Sequence, residues 1–76
     1  MEFSVKLNSV EDAVNFVNEL EYQDCHADIW MDSKIMNARA LMGILSIGMG
    51  KELKVLVYRG NAERLNTVMQ QYKTPE

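Results

Sequence analysis

Lys34-Ile35-Met36-Asn37-Ala38-Arg39-Ala40-Leu41-Met42-Gly43-Ile44-Leu45-Ser46-Ile47-Gly48-Met49 is a stretch in which a strand gives way to a short, densely apolar helix. Its first residues, Lys34 to Ala38, follow Ala27-Asp28-Ile29-Trp30-Met31, which alternates at period two. Asp32-Ser33 between them suits a tight turn, so a β-hairpin is predicted. Ala40 to Ile47 then carries Leu41, Met42, Ile44 and Leu45, too many apolar side chains for a single stripe. Gly48 and Gly50 close the run at positions suited to a left-handed backbone, which predicts a short helix with a glycine stop.

Upstream, Glu2-Phe3-Ser4-Val5-Lys6-Leu7 alternates as a half-buried strand, and Asn8-Ser9 ends it. Ser9, with Asp12 three residues on, resembles a capping box with a short acid. Val10, Ala13, Val14, Val17 and Leu20 recur at helical spacing, with Phe16 beside them. They predict an amphipathic helix of roughly 12–14 residues ending around Tyr22–Asp24. Downstream, Leu53 to Tyr58 is the most β-like run, and Asn61 after Gly60 caps a last helix through Ala62, Leu65, Val68, Met69 and Tyr72. Thr74-Pro75-Glu76 reads as a frayed end. The order βαββαβα, with no internal linker, predicts one α+β domain whose open sheet carries its helices on one face.

Composition excludes several function classes. Seventy-six residues leave little room for a deep catalytic cleft or a large cofactor, and no cofactor is expected. The net charge of −3, with its 8 basic residues scattered, argues against nucleic-acid binding. Cys25, the single cysteine, cannot form an internal disulfide and suits a reducing cytoplasm. Beside it stands the single histidine, His26, but two adjacent ligands without others nearby are a poor metal site, and none is expected. The start shows no apolar signal region, and no run approaches the roughly 18–20 apolar residues of a membrane span, so a soluble cytoplasmic protein is expected.

The block from Lys34 to Met49 resembles the HPr family of sugar-phosphotransferase phosphocarriers, as found in Gram-positive bacteria; Leu41-Met42-Gly43-Ile44-Leu45-Ser46-Ile47-Gly48 reads like that family's second helix. The order of elements agrees. The resemblance implies an open-faced sandwich: a four-stranded antiparallel sheet with three helices on one face. In the family, a Gly-(Ile/Leu)-His-Ala-Arg-Pro motif joins the first strand to the first helix, and its histidine takes the phosphate at the helix N-terminus, where orphan N–H groups and the dipole favour an anion. The matching junction here is Asn8-Ser9-Val10-Glu11-Asp12, with Ser9 at the histidine's position, Glu11 at the arginine's and Asp12 at the proline's. Glu11 and Asp12 replace the anion site with two carboxylates; each repels another unit charge at about 5 Å by about 1 kcal/mol even in water. The family's regulatory serine at the start of the second helix matches Ala40. Both phosphorylation positions are thus lost, and phosphate transfer by the family's histidine route is not expected.

Surfaces remain. The resemblance makes the second helix a docking element, with Leu41, Met42 and Leu45 as apolar contacts and Arg39 as a flanking cation. By strand alternation, Trp30, Ile35, Leu56 and Tyr58 point to the open sheet face, where Trp30, Leu56 and Tyr58 are expected to form one patch for a partner or a second copy. A non-enzymatic interaction or regulatory module linked to the phosphotransferase system is the expectation, with a protein partner and neither nucleic acid nor membrane. The alternative is a phosphocarrier whose chemistry has moved to His26, which the sequence places at the far end of the first helix with no evident cationic neighbour. A small-molecule regulatory domain of the ACT type ranks last, because Asn8-Ser9 lacks a glycine-rich turn.

Overall fold

The computed structural model describes residues 1–72, so the predicted frayed end at Thr74-Pro75-Glu76 lies outside the described residues. The elements are β1 (Glu2–Lys6), α1 (Val10–Tyr22), β2 (His26–Met31), β3 (Lys34–Asn37), α2 (Leu41–Gly43) running into a π-helical turn (Ile44–Gly48), β4 (Glu52–Arg59) and α3 (Ala62–Gln70). The four strands form one antiparallel sheet in the order β1-β4-β2-β3. Val5, Ile29, Met31, Leu53, Val55 and Val57 face the helices and are buried, while Glu2, Lys54 and Trp30 on the alternate rows are exposed. The predicted open-faced sandwich is what the chain forms.

The first helix starts where the sequence places it. Ser9 is extended (φ −140°, ψ 160°), and its hydroxyl oxygen accepts the Asp12 N–H at 3.0 Å. Its buried stripe is Ala13, Phe16, Val17 and Leu20. Phe16, read from the sequence as standing beside the apolar face, is instead at its centre and wholly buried. Val10, counted on that face, is 61% exposed, because the first helical residue sits before the turn that reaches the sheet.

The helix ends in a Schellman motif built on an aspartate. Asp24 takes the left-handed conformation (φ 49°). The Cys25 N–H reaches Leu20 O at 3.4 Å and the Asp24 N–H reaches Glu21 O at 3.1 Å, which are the two bonds of that motif. Cys25 and Leu20, both buried, supply the accompanying apolar contact, and the Cys25 thiol also donates to Leu20 O at 3.7 Å.

The second helix departs from expectation. Only Leu41–Gly43 is α-helical, and Ile44–Gly48 widens into a π turn. The dense apolar run explains the split: Ile44 is fully buried, Leu41, Leu45 and Ile47 pack partly against the core, and Met42 projects outward. The loop after the turn is tied back to the start of the sheet by the Gly50 N–H, which donates to Leu7 O at 2.8 Å. At the last helix, Asn61 Oδ1 accepts the Arg64 N–H at 3.0 Å, as expected of a cap. The helix stops at Gln70, two residues before Tyr72, which follows in a turn and is buried.

Gly60 is held by close approach. A Cβ there would lie 2.7 Å from Leu65 Cδ1 and 2.9 Å from Cys25 Cβ. Gly60→Ala should therefore cost about 1–3 kcal/mol through overpacking, whereas Asp24→Gly should stabilise by about 0.5–1 kcal/mol by relieving the left-handed aspartate. Denaturant midpoints moving in opposite directions would confirm both; a neutral Gly60→Ala would refute the close-packing account.

Candidate functional site

The β1–α1 junction is a closed cap. Ser9 is exposed with its hydroxyl engaged by Asp12 N–H, Glu11 is exposed in the first turn, and Asp12 is half-buried beside it. Glu11 and Asp12 place negative charge where the helix dipole is positive, which stabilises the helix and disfavours a further anion. The described residues place no basic side chain on α1 itself. Asp12 also faces the last turn of the chain. Burial pushes the Tyr72 phenol above its ordinary range, and the nearby charges of Asp12 and then Glu19 push it further.

Ala40, which the sequence resemblance matches to the family's regulatory serine, precedes α2 with no side-chain cap. Of the expected docking residues, Met42 is 77% exposed, while Arg39, Leu41 and Leu45 are half-buried. The apolar surface of the second helix is thus a single projecting methionine flanked by partly covered leucines. α1 packs against both α2 and the π turn, so this surface and the Ser9 cap belong to the same layer.

On the open face the strand register rearranges the expected patch. Trp30 pairs directly with Ile35 on β3 and with Lys54 on β4. Leu56 stands opposite Asp28 and is only half-exposed, diagonal to Trp30. Tyr58 lies further along β4, next to a bulge between His26 and Ala27, and does not adjoin Trp30. The predicted Trp30-Leu56-Tyr58 patch is therefore split: Trp30, Ile35 and Leu56 cluster, Tyr58 stands apart, and Lys54 and Asp28 interrupt the surface. Glu2 adds charge on the same face through its ion pair with Lys54 at 3.4 Å.

The strand order and the helix layer define a known architecture. Crystal structures of HPr-C-His from Thermoanaerobacter tengcongensis and of the phosphocarrier protein HPr from Bacillus anthracis strain Ames each superpose with a TM-score of 0.73. The first match covers 93% of this chain and 88% of the other, the second 96% of each, both at 22% identity. The fold is that of the HPr phosphocarriers. No protein-family model and no curated protein matches the chain. Within this HPr fold, no helix of the described residues is long and apolar enough to cross a membrane, and these residues contain no cluster of three or more His, Cys, Asp or Glu able to hold a metal.

Cys25 and His26 end up differently from one another. The thiol is buried; desolvation raises its pKa, only partly offset by the Arg39 guanidinium nearby. A buried thiol kept protonated is a poor nucleophile. His26 is exposed at the start of β2, beyond α1, which as a 13-residue helix puts it about 20 Å from Ser9. The expectation of no cationic neighbour fails here: Arg59 is its register partner on β4. Nothing in the sequence marks that pairing, since it depends on the bulge at Ala27.

Two outcomes follow. Ser9→Ala should cost about 1 kcal/mol of stability, and Ser9→Gly only a few tenths, in urea titrations. Cys25 and Tyr72 both hold their protons more tightly when folded, so the folded state binds more protons than the unfolded one in the alkaline range. Stability should thus fall as pH rises through the ordinary thiol and phenol range of roughly 8.5–10. In Cys25→Ala the thiol's share of that slope should vanish; an unchanged slope would show that the thiol is not the titrating group.

Proposed function

We propose that this chain is a non-catalytic HPr-like module that binds a protein partner, a component or regulator of a sugar phosphotransferase system, and does not carry phosphate by a histidine at the first helix. The observation that carries this reading is the self-capped start of α1, where Ser9 occupies the position the sequence resemblance assigns to histidine. Its hydroxyl accepts a backbone N–H, and Glu11 and Asp12 already occupy the positive end of the helix dipole. Without an imidazole, the junction retains neither a nucleophile nor an open anion site. What supports partner binding is the exposed Met42, a large, adaptable apolar side chain on the same helical layer.

Incubation with phosphoenolpyruvate carrying a labelled phosphoryl group and the first enzyme of the phosphotransferase system should leave the chain unlabelled. Met42→Asp should lower affinity for a purified phosphotransferase partner at least about tenfold with little change in stability; undiminished binding would remove the proposed surface. A second reading is kept alive by one observation, the Arg59 partner of His26, because a cation beside an exposed imidazole suits a phosphorylated form. Acid-labile label that disappears in His26→Ala would replace the first reading with this one.

A further inference from the structure

Between the tip of the β2–β3 hairpin and the π turn lies a half-open cavity of about 370 Å³. Lys34 and Ser33 line it from the hairpin, Ser46 from the π turn and Lys51 from the loop that follows. Met31, Ile47 and Met49 form its apolar wall, and Asp32 is its one carboxylate. The single ion pair among the described residues is Glu2–Lys54, on the open sheet face. Lys34 and Lys51 both line this cavity, and neither has a carboxylate within salt-bridge distance among the described residues, although Asp32 stands on the same rim. Two ammonium groups against one carboxylate leave this cavity net positive in a chain whose formal charge is −3. The sequence conceals this concentration, because the hairpin and the loop after the π turn are separate segments.

We propose that this cavity binds a small phosphomonoester dianion. Ammonium groups donate to phosphate as compact charges without a fixed plane, and hydroxyls add directional donors. Two of each, on three separate segments, suit a tetrahedral group with three acceptor oxygens better than a planar carboxylate. The volume lies within the range of small-ligand sites and accommodates a short carbon body beside the phosphate. The methionines and Ile47 cover that body, and Asp32 accepts a hydrogen bond from a hydroxyl it carries. The π turn has a role in this arrangement, since it is the element that supplies both Ser46 and Ile47 to the wall. The site uses neither Ser9 nor Met42 and stands independently of the partner-binding reading.

The test is a titration of the ¹⁵N-labelled chain with glycerol 3-phosphate, followed by amide shifts, at fixed ionic strength. The site requires saturable shifts confined to the hairpin tip and to the segment from Ser46 to Lys51. In the Lys34→Gln/Lys51→Gln variant, affinity should fall at least about tenfold. Both lysines are exposed, so the spectrum elsewhere should stay unchanged and report an intact fold. Succinate at the same concentrations should bind at least about tenfold more weakly. Shifts that do not saturate, that centre on another surface, or that persist in the double variant would overturn the proposal. Equal binding of succinate would overturn the assignment to phosphate.

Discussion

Phe16 lies wholly buried with its ring edge-on to Tyr72, centroids 5.6 Å apart at 89°, and this pair ties α1 to the turn after α3 within the helix layer. Phe16 comes from the middle of α1 and Tyr72 from the turn after α3, while the Tyr72 carbonyl accepts the Lys6 N–H from the outer edge of β1 at 2.8 Å. The aromatic contact and this backbone hydrogen bond together connect two helices to the edge of the sheet. A chain of this length has a small core, and a sheet covered on one side depends on every helix that covers it. The acidic start of α1 is part of the same arrangement, because burial first and then the charges of Asp12 and Glu19 push the Tyr72 phenol above its ordinary range.

That dependence bears on how the HPr fold is used here. Charges at the first turn of α1 favour helix formation and oppose a second anion at the same place, so capping and phosphate binding compete for one position. In this chain the helix start is capped by the Ser9 hydroxyl, with Glu11 and Asp12 in the first turn. Cationic side chains stand away from it: Arg39 just before the second helix, Arg59 opposite His26 in the strand register, and Lys34 with Lys51 at the cavity below the hairpin. The surface that the fold presents is correspondingly divided, with acid at one helix end, a single projecting methionine on the next, and separate pockets of positive charge behind them.

The elements were legible in the sequence wherever one local signal decided them. Period-two alternation marked the strands, Ser9 and Asn61 marked helix starts, and Asp32-Ser33 marked the hairpin. What stayed hidden depended on distant residues. Asp24 closes α1 without the glycine that usually announces such a motif, and no local signal marks the widening of Ile44–Gly48 into a π turn. Phe16 falls on the buried face by spacing, three residues after Ala13 and four before Leu20, but spacing does not show that its ring meets Tyr72. The open-face patch and the His26–Arg59 pair both turned on strand register, which a single bulge at Ala27 resets. At the candidate site the Ser9 cap and the acidic first turn of Glu11 and Asp12 were readable in the sequence, whereas the cavity between Lys34 and Lys51 required the folded backbone.

The strand order has a consequence for how the chain acquires its shape. β1 finds its partner only in β4, and the Met1 amino group donates to Val57 O across a separation of 56 positions. The hairpin of β2 and β3 can close locally, but the first strand stays without a ladder until β4 is available to pair with it. Non-local pairing of this kind slows closure and leaves Phe3 and Val5 uncovered in the meantime. Pairing of Glu52–Arg59 is therefore the step that completes the sheet, and a chain cut short before that strand would leave β1 bare and apolar toward proteases and chaperones.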